Sequence, residues 1–110
     1  MRQFQTTVLD TFKDLSDGYA TEPYEAAWAS EAIFFVRTDE VREGGAPLEL
    51  KVEISPDGMA WVEEGGTITV DPDAELAYVR VTHFGGWLRL RHARGPASSF
   101  KATVYLVLKE

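Results

Sequence analysis

The chain has 110 residues, of which 45% are hydrophobic and 12% aromatic; this is the size of one domain with one core and excludes a disordered chain. Eleven Lys and Arg against 18 Asp and Glu give a net charge of −7, which argues against general affinity for nucleic acid or an anionic membrane. The absence of Cys excludes disulfides, thiolate zinc sites and cysteine nucleophiles. We therefore expect one domain over residues 1–110, with neither nucleic acid nor membrane as a partner.

The charges are unevenly distributed along the chain. Residues 1–75 hold 17 of the 18 acidic side chains and 5 of the 11 basic ones, and no carboxylate side chain lies between Glu75 and Glu110. Because such segments interleave in a compact domain, internal pairing of opposite charges is the simpler interpretation. The alternative is a dipolar surface that attracts a second copy of the chain or an anionic ligand.

The first third of the chain contains two predicted strands and one ambiguous segment. Residues 3–12 are rich in Thr, Val and Gln, so residues 1–12 form either an edge strand or an arm that pairs with a neighbour's sheet. Residues 22–30 are a helix candidate with Thr21 as cap, or an extended connection that pins Trp28. The nearly continuous apolar run from Ala32 to Val36 predicts a strand buried on both faces.

The rest of the chain has a hydrophobic period of two residues, which is typical of strands. Residues 48–55 alternate as a strand with one wet face, and 75–84 behave similarly. Residues 100–109 are apolar on one face and mixed on the other, which predicts a central strand or a covered outer face. Turn residues separate these runs, at 44–47, 55–58, 64–66, 71–73, 85–86 and 94–96.

These patterns predict eight strands, at about 3–12, 31–38, 48–55, 59–63, 67–70, 75–84, 86–93 and 100–109. Strands spaced about ten residues apart, with turns between them, indicate an all-β fold. The expected architecture is a two-sheet antiparallel β-sandwich of the jelly-roll kind, closed over an aromatic-rich core.

Catalysis is not indicated. His83 and His92 are expected near one end of a hairpin, where no carboxylate supplies a third metal ligand. Ser98 and Ser99 lack the G-x-S-x-G elbow, and the Gly-Gly pairs lack the Lys and helix of a phosphate loop. Calcium held by loop aspartates is a weaker alternative, because neither pair supplies enough oxygens; the two pairs are Asp14 with Asp17, and Asp71 with Asp73. We expect no enzyme, cofactor or metal.

The most distinctive predicted surface combines aromatic and Arg side chains. Alternation places Trp87, Arg89 and Arg91 on one face of their strand. If the preceding strand folds back at Gly85-Gly86, it sets two more side chains beside them, so that the binding face comprises Tyr78, Arg80, Trp87, Arg89 and Arg91. Such a face could bind carboxylates or stack on sugars. The alternative is a packing layer whose Arg side chains pair with Glu49, Glu53 or Glu63.

The segment from Glu53 to Trp61, with its S-P-D-G-x-x-W pattern, resembles a hairpin of small β-sandwich proteins. Similar elements occur in discoidin-like domains and in short sandwich proteins of bacteria and tailed phages. The resemblance implies a jelly-roll or discoidin-like sandwich in which Gly58 makes the turn and Trp61 fills the core. The structural residues that it implies are Ser55, Pro56, Asp57, Gly58 and Trp61.

Taken together, these features favour a non-enzymatic structural or assembly protein, which we expect to be a homo-oligomer. The phage resemblance suggests a decoration or structural subunit of a virion or related particle, acting through self-association or docking on a protein lattice. The alternative is a carbohydrate-binding module that stacks sugars on Trp87 and Tyr78. The polar start from Met1 to Thr7 is not typical of a signal peptide, so we expect synthesis in the cytoplasm.

Overall fold

A computed structural model describes residues 3–15, 18–43, 47–71, 73–92 and 99–110. For residues 41–43 and 99–100 it describes the backbone alone. Several features of the sequence lie outside the described residues. These are residues 1–2, Asp17, Pro72, Ser98 and the turn residues at 44–46 and 94–96.

The described chain forms eight strands: β1 (Phe4–Asp14), β2 (Tyr24–Glu25), β3 (Glu31–Glu43), β4 (Leu48–Ser55), β5 (Val62–Val70), β6 (Leu76–Thr82), β7 (Trp87–His92) and β8 (Ser99–Lys109). Sheet A has the order β1-β8-β3-β6, and sheet B has the order β2-β7-β4-β5. All neighbouring strands are antiparallel. The chain thus pairs first strand with last, second with seventh, third with sixth and fourth with fifth, which is the winding of a jelly roll. The predicted fold class is confirmed.

Two predicted strands, 59–63 and 67–70, are one strand in the structure. Within β5 the pairing shifts, so that Lys51 of β4 faces Thr67 while Glu53 faces Glu63. The extra residues form a bulge, a device that bends a strand without ending it. Gly66 lies in this bulge, and a β-carbon there would approach the methyl groups of Val79 and Val52 at 3.2 and 3.3 Å. The glycine therefore marks a close approach of strands, where the sequence suggested a turn.

Of the two alternatives for residues 22–30, the helix is wrong, because this segment is extended and runs antiparallel along β7. The Thr21 amide donates to the Leu90 carbonyl at 2.9 Å, and the Ala26 amide donates to the Gly86 carbonyl at 2.7 Å. The strand partner supplies the hydrogen bonds that a helix would make internally. Trp28 is 40% exposed, so the connection does not pin it in the core.

The core between the sheets is mostly aliphatic. Phe34 is the largest fully buried side chain among the described residues, and Leu50, Leu90 and Leu106 are equally inaccessible. The expectation of an aromatic-rich core filled by Trp61 is wrong, since Trp61 is half-buried and lies on the outer side of sheet B. Most of the aromatic side chains are therefore available for other surfaces.

Residues 4–14 form an edge strand of the chain's own sheet, paired with β8 from Phe4 opposite Lys109 to Asp14 opposite Lys101. Side chains tie this edge to sheet B. The Gln5 amide donates to the Tyr24 hydroxyl at 2.9 Å, and the hydroxyl of Tyr19, which is 7% exposed, donates to Asp10 at 2.5 Å. Burial and the Asp10 contact raise the pKa of Tyr19 far above its usual value.

In the described part of the chain, no helix is long and apolar enough to cross a membrane.

Candidate association surface

The predicted binding face is divided between the two sides of the sandwich. Tyr78 and Arg80 alternate with positions that pack against the core and point outward from sheet A, whereas Trp87, Arg89 and Arg91 point outward from sheet B. The predicted hairpin at Gly85-Gly86 is wrong, because residues 83–86 cross from one sheet to the other instead of reversing within one sheet. The five residues therefore do not form one surface.

On sheet B the aromatic and Arg side chains form a packing layer. The Arg89 Nε lies 2.6 Å from Oε1 of Glu53, and its guanidinium carbon is 4.2 Å from the centroid of the Trp61 ring. Arg91 reaches the other oxygen of Glu53 at 3.9 Å. Glu53 is 7% exposed although it points away from the core. Burial of Glu53 and the stacking of Arg89 on Trp61 match the packing alternative.

The S-P-D-G segment forms the predicted turn and rests on Trp87. The Ser55 hydroxyl accepts the Gly58 amide at 2.8 Å, and Oδ1 of Asp57 accepts the amides of Met59 and Ala60 at 2.8 and 3.0 Å. Gly58 has a φ of 81°, which favours glycine, and a β-carbon there would lie 3.1 Å from the Trp87 ring. The turn thus covers one end of the outer face of sheet B.

The hydrogen bonds of this turn predict an acid-sensitive contribution to stability. The amides of Ala60 and Met59, with the Ser55 hydroxyl, hold the pKa of Asp57 below its ordinary value of 3.8. A carboxylate with a lowered pKa stabilises the fold above its unfolded pKa, and this contribution is lost as the pH falls through the folded pKa. Asp57→Asn should therefore melt below the wild type at pH 6, and the gap in Tm should close as the pH falls to about 2.

Thermal melting followed by circular dichroism between pH 2 and pH 6 measures this gap. The matched control is Glu49→Gln, which removes one carboxylate from the outer face of β4, outside the turn. A constant gap between Asp57→Asn and the wild type across this range would contradict the role given to the Asp57 carboxylate.

The two histidines do not converge. His83 is exposed and has a φ of 55° before β7 begins, while His92 is 6% exposed at the other end of β7. The expectation that both lie near one end of a hairpin is wrong. Asp71 and Asp73 form a turn in which the Asp71 carboxylate accepts the Asp73 amide at 2.8 Å. Within the described ranges, no group of three His, Asp or Glu could hold a metal ion.

The outer face of sheet A carries apolar side chains on all four of its strands. Pairing aligns one row across all four strands, from Val8 through Tyr105 and Phe35 to Tyr78. Val8, Leu76 and Tyr78 are 50%, 53% and 53% exposed. We call this surface the apolar face and define it by Val8, Ile33, Phe35, Leu76, Tyr78, Tyr105 and Val107.

Polar groups border the apolar face at both ends of the strands. At one end, Lys109 of β8 lies opposite Glu31 of β3. At the other end, Arg37 contacts Asp39 at 3.0 Å, and the Thr103 hydroxyl donates to Asp39 at 2.7 Å. Burial alone would raise the pKa of Asp39, but the hydrogen bonds from Thr103 and Arg37 hold it below its ordinary value. An apolar centre with a polar rim is typical of protein interfaces.

Sequence reasoning pointed toward this face without identifying it as a site. The apolar second faces of residues 32–36 and 100–109 predict cover on the outer side as well as the core side. Instead, Ile33, Phe35, Tyr105 and Val107 are each half-buried, and no described element of the chain lies over them. The signal was the excess of apolar residues on two central strands.

Comparisons with known proteins identify the fold. No protein-family model matches the sequence, and no curated protein sequence is similar to it. The crystal structure of the SPBc2 prophage-derived protein YomS is similar, with a TM-score of 0.71 over 100% of this chain and 96% of that chain, at 8% sequence identity. The similarity is therefore one of fold alone.

Proposed function

We propose that the protein is a non-enzymatic structural subunit of a phage-related particle and that it acts by protein association through the apolar face. The observation that carries this proposal is the row of Val8, Tyr105, Phe35 and Tyr78 across the outer side of sheet A. Contiguous apolar patches on a protein surface mark interaction sites. Here the patch is set on a rigid four-stranded sheet, which suits a permanent contact better than a transient one.

The phage-related part of the proposal rests on the fold. A prophage-derived protein, YomS, has a similar fold over nearly its whole length. Jelly rolls are also common among viral capsid proteins.

The carbohydrate-binding alternative loses its geometric basis. It required Trp87 and Tyr78 to form one stacking platform, but these side chains lie on opposite sides of the sandwich. Trp87 is also approached by the turn at Gly58.

Light scattering of the purified protein over a range of concentrations tests the proposal. We expect the wild type to exceed its chain mass of 12.3 kDa, and we expect Tyr78→Glu to return it to that mass because a charge in the apolar face must be desolvated on association. Thr69→Glu is the matched control, since it places the same charge on the exposed outer side of β5. It should associate as the wild type does.

A second measurement covers association with a different protein. The tagged wild type and Tyr78→Glu are crosslinked in the cells that naturally make the protein, and their captured partners are compared. A wild type that stays monomeric at every concentration, and that captures nothing lost in Tyr78→Glu, would refute the proposed function.

A further inference from the structure

We propose that the apolar face is covered by a second copy of this chain, packed face to face about a two-fold axis that runs nearly parallel to the strands, between β3 and β8. This inference rests on the proposed function, because it names the partner of the same surface. It follows from the order of strands in sheet A and from the register of β3 with β8.

The strand order makes the arrangement self-complementary. In sheet A, β8 and β3 are central while β1 and β6 are the edges. A two-fold axis along the strands places β8 of one copy over β3 of the other, and β1 over β6. The rotation does not shift residues along the strand direction, so residues that are paired across the sheet stay at the same height in both copies. Each residue of β8 or β3 then faces the partner's copy of its own neighbour in the sheet, and each residue of an edge strand faces the same row on the partner's opposite edge. This is the isologous contact of a symmetric dimer.

The apolar residues match under this operation. Val107 faces the partner's Ile33, and Tyr105 faces the partner's Phe35, because each pair is in register within one chain. At the edges, Val8 faces the partner's Tyr78, so two strongly exposed apolar side chains cover each other. Sheets pack about 10 Å apart with strands about 30° from parallel, which tilts the axis by about half that angle and preserves the central contacts.

The charges match as well. Lys109 and Glu31 are exposed and lie opposite each other on β8 and β3, so each faces the opposite charge of the partner. An axis perpendicular to the strands, between the rows of Phe35 and Ile33, would instead place the apolar Val8 against the partner's Thr6. That axis would give Glu31 the partner's Arg37 but would place Lys109 against the partner's Thr103, so only one of the two charges would meet an opposite charge. Complementarity therefore favours the axis along the strands.

Two single charge reversals test this geometry. Glu31→Lys makes both positions of the pair positive, and Lys109→Glu makes both negative. Each variant alone places like charges across the interface twice, so we expect its dimer dissociation constant to rise at least about tenfold. An equal mixture restores opposite charges between chains. We therefore expect a mixed dimer with nearly the wild-type dissociation constant.

The mixture separates contact between chains from effects within one chain. The like charges that each variant places on neighbouring strands of its own sheet are the same alone and in the mixture, so only a contact between chains produces rescue. Native mass spectrometry with one variant labelled with ¹⁵N measures the mixed species. The double variant, Glu31→Lys with Lys109→Glu, is a second check and should form its own dimer.

The outcomes distinguish this inference from the proposed function. Mixed dimers in preference to both self-associated forms, together with a dimeric double variant, would support it. If the wild type associates and Tyr78→Glu does not, but the mixture shows no preference, the two-fold packing is wrong and association through the apolar face stands. A monomeric wild type whose captured partner is lost in Tyr78→Glu would overturn the second copy as occupant while leaving the proposed function intact.

Discussion

Phe34→Ala is expected to lower the free energy of unfolding by about 3–5 kcal/mol, the range for removing a buried phenylalanine. Phe34 is 0% exposed and lies between the two sheets. Residues of both sheets surround the Phe34 ring. Movement of a single neighbour therefore cannot fill the space that the ring leaves, and a cavity remains. Urea denaturation followed by circular dichroism measures the loss.

The adjacent residue supplies a matched control. Phe35 is next in sequence but points to the outer side of sheet A, where it is half-buried and contacts Tyr78 at a ring separation of 6.2 Å. Phe35→Ala should cost the single chain no more than about 1.5 kcal/mol, since part of the ring is already in water. It should nevertheless weaken association, because Phe35 lies at the centre of the apolar face.

Both variants are compared at a concentration low enough to keep the chain monomeric, because association adds to apparent stability. Equal losses of unfolding free energy from Phe34→Ala and Phe35→Ala would show that the two faces of β3 have been assigned wrongly.

Glu53→Ala is expected to lower the free energy of unfolding by about 3 kcal/mol, as for the loss of one partner from a buried ion pair. Its carboxylate pairs with Arg89 at 2.6 Å under the Trp61 ring. Without it, the Arg89 guanidinium keeps its cost of desolvation and loses its charge partner. Replacing both residues by methionine should cost less than Glu53→Ala alone, because apolar side chains of similar size remove both charges.

The neighbouring ion pair is the control for this prediction. Glu63, which is 59% exposed, lies 3.7 Å from Lys51 on the same outer face. Exposed pairs contribute roughly 0–1 kcal/mol, so Glu63→Ala should have little effect. Chemical denaturation of the two single variants and the double methionine variant measures all three values. A small loss from Glu53→Ala would mean that Arg89 finds solvent or another acceptor.

The strand from Leu48 to Ser55 was predicted with the bounds that the structure shows. Its alternation is regular, and the S-P-D-G turn follows directly, so both signals are local. The merged β5 and the short β2 were not predicted. A bulge in β5 looks like a turn in the sequence, and β2 exists because β7 lies beside it.

The candidate site was predicted in part. Tyr78 belongs to the apolar face, but the sequence grouped it with Trp87 because adjacent strands often form hairpins. The jelly-roll winding separates them, since β6 pairs with β3 while β7 pairs with β4. No local signal distinguishes a Gly-Gly hairpin from a Gly-Gly crossing between sheets.

The sequence alone determined that this protein is an all-β sandwich without cysteine chemistry, because alternation, turn residues and composition act over a few neighbouring positions. It also showed that two strands carry apolar residues on both faces. Tertiary structure alone decided which of these faces is the core, since Phe34 and Phe35 are chemically alike and differ in what packs against them. It likewise decided that Trp61 covers Arg89 and that the apolar face lies open, because strand pairing brings together residues far apart in the chain.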